Sequence, residues 1–157
     1  MNNKKKIAAL SIATGLLSLV GCSSAENPST NAESVVVTAA EKSNVSQNDL
    51  GALNPSEALE YMKNTADLII VDVAAKRWFD KEHFVGAINI PIEEISSGEA
   101  DELYKKIPSG KPVILHCRRG MIVPSAYRRV KELRADIPEI SYIDGVPPFA
   151  EYNDWKK

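Results

Sequence analysis

The amino-acid sequence predicts a single α/β domain, with a small parallel sheet and helices on both of its faces. Short β-branched runs alternate along the chain with segments of helical periodicity, which is typical of βαβ units. The runs at 67–73 and 111–117 each contain a continuous apolar stretch, as expected of strands that are buried on both faces of a sheet. The length of 157 residues suits one such domain rather than two.

The predicted elements follow one another from about residue 50. In NPSEALEYMKN, Asn54 is a candidate N-cap and Pro55 stands at the first helical position, so this segment is predicted to be a helix. Further helices are predicted in IEEISSGEADELYKKI, with a break at 96–98, and in VPSAYRRVKELRA, where Pro124 suits a first turn. The predicted strands are DLIIVDV (67–73), GAINIP (86–91), KPVILHC (111–117) and EISYID (139–144).

Residues 1–21 are predicted to be a signal peptide. A basic start, MNNKKK, precedes the apolar run IAALSIATGLLSLVG, which is shorter than the roughly 20 apolar residues of a membrane-spanning helix. The run ends in LVGC, which resembles the lipobox of bacterial lipoprotein signals. That resemblance implies cleavage before Cys22, a lipid on its sulfur, and anchoring to the membrane of the bacterial cell envelope. Ser23 rather than Asp follows, which favours the periplasmic face of the outer membrane.

Residues 22–49 are rich in Ser, Asn, Glu and Ala and are predicted to be a flexible linker, followed by the folded domain at 50–157. Removal of the signal peptide takes the net charge from -2 to -5, because three lysines leave with it. An acidic chain without a clustered basic excess does not indicate nucleic-acid binding. If Cys22 carries lipid, the domain keeps one thiol, Cys117. Exported proteins usually pair their thiols, so a lone thiol is either buried and inert or kept for its reactivity.

Cys117 ends a predicted strand, and a helix is predicted to begin a few residues later. Ligands of open parallel sheets bind beyond the carboxyl ends of the strands. The intervening RRGMI must turn sharply, and Gly120 can adopt a positive φ there. Such a turn directs backbone N–H groups at the sulfur, and these groups, the helix dipole, Arg118 and Arg119 would stabilise a thiolate. A cysteine at a strand end is otherwise a small core residue, but this context favours a nucleophile.

The domain resembles a single-domain rhodanese, a sulfurtransferase, over nearly all of residues 50–155. LIIVDV and EHFVGAINIP are similar to the family's Asp-Val-Arg strand end and its His-x-x-Gly-Ala-x-x-Ile-Pro segment. CRRGMI stands in the place of the six-residue active loop, and YIDGVPPFAEY in that of the closing Gly-Gly turn before the last helix. The EHFVGAINIP segment and the predicted export are also similar to those of the periplasmic phage-shock rhodaneses.

The resemblance implies persulfide chemistry on Cys117. The thiolate would attack the sulfane sulfur of thiosulfate or a related small anionic donor, release sulfite, and pass the sulfur to cyanide or a thiol acceptor. No cofactor is implied, and a zinc site is not expected because clustered ligands are lacking. The loop would bind the substrate through Arg118, Arg119, Gly120, Met121, Ile122 and Val123.

Several positions depart from the family's pattern. Many rhodaneses end the loop with Arg or Thr, whereas this chain has Ile122, which with Met121 makes an apolar lip less suited to a small dianion. Ala74 follows the Asp-Val pair in place of Arg, and Lys76 and Arg77 are the candidates to reach the same space. The closing turn reads DGVPP and lacks the second glycine. These departures concern the substrate rather than the fold.

Three polar residues are expected to support the site: Asp72, Arg77 and His83. Asp72 is expected to accept backbone N–H bonds, and His83 to hydrogen-bond either near the site or to the next turn. His116 alternates with Cys117 along its strand and should point to the opposite face, so it is not a candidate general base. A Cys-His dyad of the protease type is therefore not expected.

Two alternatives would use the same fold. A cysteine phosphatase needs Cys-x5-Arg, and Val123 stands six positions after Cys117, which excludes a phosphatase and disfavours an arsenate reductase. A non-catalytic rhodanese-like binding module tethered to the envelope is favoured by Ile122 and Ala74. An intact Cys117 and Gly120 favour catalysis instead. The sequence therefore predicts a sulfurtransferase, with the binding module as the alternative.

Overall fold

The structure is a computed structural model that describes residues 47–157. The predicted signal peptide, the lipid site at Cys22 and all but the end of the predicted linker lie outside the described residues. Within 47–157, no helix is both long and apolar enough to cross a membrane.

Residues 47–157 form five β-strands and five α-helices. The strands are β1 (Asn48–Leu53), β2 (Ile69–Asp72), β3 (Ile88–Asn89), β4 (Val113–His116) and β5 (Glu139–Ile143). The helices are α1 (Pro55–Asn64), α2 (Lys76–Phe79), α3 (Ser97–Tyr104), α4 (Val123–Leu133) and α5 (Phe149–Trp155). Each predicted strand is present with somewhat shorter bounds, and the predicted α/β fold class is confirmed. The predicted helices are present too, except that 92–95 form a turn and α3 begins at Ser97, within the predicted break.

The strands form one parallel sheet in the order β1-β5-β4-β2-β3. β4 lies at the centre, between β2 and β5, and all four of its residues are buried. This position explains why its sequence is apolar without alternation. Because the strands are parallel, their carboxyl ends meet at one edge of the sheet, and the loop after β4 leaves from the middle of that edge.

The hydrophobic core lies in two layers, one on each face of the sheet. Val113 and Leu115 of β4 pack in the layer that α3 and α4 cover, together with Val130. Ile114 points the other way and packs with Met62 of α1 and Tyr152 of α5. The side chains of β4 therefore alternate between the two layers, as the geometry of a strand requires. The same alternation decides where the residues that follow Leu115 point.

The first helix begins where the sequence predicts. Asn54 is its N-cap, and its side-chain oxygen accepts hydrogen bonds of 3.0 Å from the N–H groups of Ser56 and Glu57. The Glu57 carboxylate accepts in return from the Asn54 N–H at 2.9 Å. A cap of this kind stabilises a helix by about 1 kcal/mol. Pro55 at the first helical position lies against Gly145 of the closing turn, so the start of α1 helps to locate that turn.

Strand β1 and helix α2 are not among the predicted elements. β1 begins at Asn48, so the domain begins earlier than the boundary at 50 that the sequence predicts, and the end of the predicted linker is a strand. NDLGAL has no β-branched residue and contains a glycine, so local propensity is weak. The strand is stabilised by pairing with β5, which is far away in the sequence, and its Asn48 N–H donates to Pro138 O at 2.8 Å.

Candidate active site

The loop of residues 117–122 connects the end of β4 to α4. Cys117 follows the strand directly, and its side chain is 3% exposed. Among the described residues, no acceptor takes a hydrogen bond from the backbone N–H groups of 118–122. These N–H groups, together with the start of α4, are therefore available to an anion that approaches Cys117.

Gly120 makes the turn of this loop, as the sequence predicts. Its φ is +77°, a conformation that disfavours any residue with a Cβ. A Cβ at this position would also lie 2.5 Å from the backbone nitrogen of Gly145 and 2.9 Å from a carboxylate oxygen of Asp144. The close approach to the DG pair after β5 therefore requires a glycine for space as well as for conformation. The altered closing turn still packs directly against the loop.

A cavity of about 310 Å³ opens over this loop. Five of its wall residues are predicted site residues, so half of the ten predicted site residues meet at the cavity. Of the predicted loop residues, Gly120 and Val123 are not part of the wall, and the side chain of Val123, in the first turn of α4, faces the sheet and is fully buried in the core. The wall consists of Ala74, Trp78, Glu93, Cys117, Arg118, Arg119, Met121 and Ile122.

The two loop arginines are held differently. The guanidinium of Arg118 lies 4.1 Å from the centroid of the Trp78 ring, a cation–π contact that fixes this charge on the wall. Arg119 is exposed and makes no such contact. In the described part of the chain, the arginine ion pairs are made by Arg129 and Arg134, so both loop guanidinium groups are free to receive an anion.

The position that the family usually fills with arginine has no basic substitute. Ala74 itself lines the cavity. Lys76 forms an ion pair with Asp80 at 2.6 Å. Arg77 is exposed, and its guanidinium carbon lies 5.3 Å from the centroid of the Trp78 ring. Neither basic residue is part of the cavity wall. Arg77 therefore does not stand in for the missing arginine, and its contact with the site is through the ring of Trp78.

Asp72 ends β2 and holds the chain beside the cavity. Its carboxylate accepts a 2.9 Å hydrogen bond from the N–H of Ala74, as expected from the sequence. Burial raises the pKa of Asp72 to about 6, against the opposing effects of the Ala74 N–H and of the charges of His83 and Arg118. Asp72 is thus a positioning residue for the wall at Ala74.

His83 contacts the neighbouring helices α2 and α5 and is not part of the cavity wall. Its Nδ1 lies 2.7 Å from the carbonyl oxygen of Phe79, and the two rings stack with centroids 4.0 Å apart. Its own carbonyl accepts a hydrogen bond of 2.9 Å from the Asn153 side chain in α5. Its role is therefore structural, but the ring contacts the preceding helix α2 and not the next turn that the sequence suggested.

His116 points away from Cys117, as predicted. Its ring lies between Phe84 and Phe149, with centroid distances of 4.8 and 5.6 Å. Neither ring nitrogen has a hydrogen-bond partner among the described residues, and the nearest carboxylate oxygen, of Asp72, is 3.8 Å from Nδ1. Burial lowers the pKa of His116 to about 3, so the ring is neutral and is part of the core.

Two wall residues, Trp78 and Glu93, are not among the predicted site residues. Trp78 belongs to α2, a helix of four residues that is too short to show periodicity in the sequence. Glu93 lies in a turn after β3 whose Glu94 N–H donates to Pro91 O at 2.8 Å. No motif marks either residue, and only the packing of α2 and this turn against the loop brings them to Cys117.

The comparisons with known proteins agree with this architecture. A family model described as the rhodanese-like domain matches residues 54–146. The chain belongs to the rhodanese-like domain family. The match spans the Asp-Val strand end, the cysteine loop and the start of the closing turn, so the resemblance found in the sequence is confirmed. No curated protein matches the chain.

Solved structures show the same fold for this rhodanese-like domain. A protein of Staphylococcus saprophyticus subsp. saprophyticus superposes with a TM-score of 0.50 at 15% identity, covering 65% of this chain and 95% of that chain. A thiosulfate sulfurtransferase of Pseudomonas aeruginosa superposes with a TM-score of 0.50 at 14% identity, covering 70% of this chain and 19% of that chain. The present chain thus matches about a fifth of the Pseudomonas protein, and the likeness concerns the fold.

Proposed function

We propose that the domain is a sulfurtransferase that moves a sulfane sulfur from thiosulfate or a related anionic donor to a thiophilic acceptor through a persulfide on Cys117. The observation that carries the proposal is the position of Cys117 in the wall of a cavity, at the start of a loop whose backbone N–H groups at 118–122 have no acceptor among the described residues. Membership in the rhodanese-like family supports the same chemistry.

In the first half-reaction, the Cys117 thiolate attacks the outer sulfur of the donor. A bond forms between Sγ and that sulfur, the sulfur–sulfur bond of thiosulfate breaks, and sulfite leaves with the bonding electron pair. The free guanidinium groups of Arg118 and Arg119 attract the dianion and offset its charge. Trp78 holds Arg118 in place, which reduces the entropy lost when the donor binds.

In the second half-reaction, cyanide or a thiolate attacks the outer sulfur of the persulfide. The sulfur leaves with the acceptor, and the electron pair of the broken bond returns to Cys117 as thiolate. The N–H groups of 118–122 have no other acceptor among the described residues, so they can donate to the negative charge and stabilise the persulfide and the thiolate alike. No redox partner is needed, because the sulfane sulfur is transferred without a net change in oxidation.

We also propose that the domain acts on the bacterial cell envelope, anchored by a lipid on Cys22. The support is the sequence LVGC after a basic start and an apolar run. Cells expressing the full chain would be grown with radiolabelled palmitate and compared with Cys22→Ala. Label on the wild type alone, in the membrane fraction, is expected; equal label on both proteins would contradict the anchor.

Intact-protein mass spectrometry tests the sulfur transfer. The chain from residue 23 would be reduced, mixed with thiosulfate, and compared with its Cys117→Ser variant. The wild type is expected to gain one sulfur atom, to lose it to cyanide as thiocyanate, and the variant to gain none. If neither thiosulfate nor a glutathione persulfide loads the wild type, the binding module becomes the better description of the domain.

A further inference from the structure

The wall of the cavity carries one carboxylate beside its two arginines, that of Glu93. Glu93 is exposed, and within residues 47–157 it forms neither an ion pair nor a side-chain hydrogen bond. A free negative charge at this place opposes the binding of a dianion such as thiosulfate. Its position is therefore better explained by a second substrate whose charge is opposite.

The backbone around Glu93 is held in place. The turn that contains it is closed by the hydrogen bond from Glu94 N–H to Pro91 O, and Ile92 packs against the core. The carboxylate of Glu94 also accepts a 3.0 Å hydrogen bond from the N–H of Lys76 at the start of α2. These contacts tie the turn to α2, which carries Trp78 of the same cavity, so Glu93 stays on the wall.

The remaining wall suits an organic molecule better than an inorganic anion. Trp78, Met121, Ile122 and Ala74 provide apolar surface, and Met121 is 78% exposed. The volume of about 310 Å³ corresponds to about ten water molecules at roughly 30 Å³ each. It also falls at the lower end of the range of small-molecule sites, which is about 300–1,000 Å³. Thiosulfate would leave much of this space and the apolar wall unused.

We propose that Glu93 makes the site selective for small thiols that carry an ammonium group, as acceptors of the sulfur on Cys117. The inference rests on the proposed function and names the acceptor class for it. The carbon skeleton of such an aminothiol contacts the apolar wall, and its ammonium group pairs with the Glu93 carboxylate. The ammonium also favours ionisation of the neighbouring thiol, which supplies the attacking thiolate.

The transfer step balances without another reactant. The thiolate of the aminothiol attacks the outer sulfur of the Cys117 persulfide, and the bond between that sulfur and Sγ breaks. Cys117 leaves as thiolate with the electron pair, and the product is the persulfide of the aminothiol. The ammonium group and the Glu93 carboxylate exchange no proton in this step, so their role is selection of the acceptor.

The test compares acceptors that differ in charge. Cys117 would be loaded with thiosulfate in the chain from residue 23, freed of excess donor, and mixed with cysteamine, 2-mercaptoethanol or 3-mercaptopropionate. Loss of the extra sulfur would be followed by intact mass, and each rate divided by the fraction of thiolate present. The variants are Glu93→Gln and, as a matched control, Glu60→Gln, an exposed residue of α1 outside the cavity.

We expect the wild type and Glu60→Gln to prefer cysteamine over 3-mercaptopropionate, and Glu93→Gln to lower that ratio by about five- to tenfold. Loading by thiosulfate should become faster in Glu93→Gln, because a like charge is removed. High salt should weaken the preference of the wild type. An unchanged ratio in Glu93→Gln, or an equal fall in Glu60→Gln, overturns the inference and leaves the proposed function standing. If neither thiosulfate nor a glutathione persulfide loads the wild type in the first step, both proposals fail.

Discussion

His116 and Cys117 are consecutive residues at the end of the same strand, yet their surroundings differ in every respect. His116 is fully buried against Phe84 and Phe149, with no hydrogen-bond partner for its ring in the described part of the chain. Cys117 turns to the other face, where it joins the wall of an open cavity. A titratable residue one position from the nucleophile is thus part of the core and not of the chemistry.

The comparison teaches that the face of a strand decides the role of a residue more than its chemical type does. Both positions follow from the two-residue period of β4, since Ile114 and His116 share one layer and Leu115 and Cys117 the other. On the face that carries His116, burial lowers the pKa of the imidazole and keeps the ring neutral. On the open side, the turn at Gly120 exposes backbone N–H groups beside the sulfur.

The largest contrast is expected between substitutions of these two neighbours. Cys117→Ser should abolish sulfur transfer and lower the free energy of unfolding by about 1–3 kcal/mol, because a hydroxyl is less favourable than a sulfur at this buried position. His116→Ala should lower the free energy of unfolding by about 2–4 kcal/mol, through the cavity left among the aromatic rings, and should still form the persulfide. Urea unfolding and intact mass measure the two quantities. Transfer by Cys117→Ser would show that the wrong residue has been assigned.

A substitution at Gly120 tests the face of β4 on which Cys117 joins the cavity. Gly120→Ala should reduce transfer more than about tenfold, since a misplaced catalytic loop loses its positioning, and should destabilise the domain. Gly110→Ala is the matched control, with a similar φ of +70° but open space around a new Cβ. In the control, the free energy of unfolding should fall only by the conformational cost of a Cβ at positive φ, about 1–2 kcal/mol, and activity should be unchanged. Equal loss of stability in both variants would refute the close approach to Gly145.

The pH dependence of the free energy of unfolding tests the burial of His116 on the other face of β4. Burial lowers the pKa of His116 to about 3 in the folded state, while the unfolded chain takes up a proton near pH 6.5. Acidification below pH 6.5 therefore favours the unfolded state, until the folded state is also protonated at about pH 3. Relative to His116→Phe, the wild type should lose up to about 1.4 kcal/mol for each pH unit in this window.

Urea unfolding of both proteins at pH 7, 6 and 5 measures this difference. The pH-independent difference in the free energy of unfolding between the wild type and His116→Phe cancels, because only the change of this difference with pH is compared. A difference that stays constant from pH 7 to pH 5 would mean that His116 is charged, or reached by solvent, in the folded protein.

The smallest expected effect concerns the arrangement of the wall. Trp78→Leu removes the cation–π contact with Arg118, which is worth about 0.5–1 kcal/mol at a partly exposed site. The KM for thiosulfate should rise about two- to fivefold, with little change in kcat. Trp155→Leu, an exposed tryptophan of α5 outside this cavity, is the control. A change in kcat without a change in KM would assign Trp78 to the chemical step instead.

Much of the fold could be predicted from the sequence because its signals are local. The apolar runs of β2 and β4, the cap and proline of α1, and the Cys-Arg-Arg-Gly turn are each contained in a few adjacent residues. β1 could not be predicted, since its stability comes from pairing with β5 and not from its own composition. The absence of Arg77 and Val123 from the cavity wall has the same origin, because a side chain's direction depends on the helix that carries it.

The sequence by itself determined the α/β class, the position of Cys117 at a strand end, the glycine turn after it and the opposite orientation of His116. Each depends on strand periodicity or on the conformational limits of one residue type. Only the tertiary structure decided that Trp78 and Glu93 join the cysteine loop, that Ala74 has no basic substitute, and that Gly120 touches the closing turn. These are contacts between segments far apart along the chain, and they arise when the helices and loops pack around the common edge of the sheet.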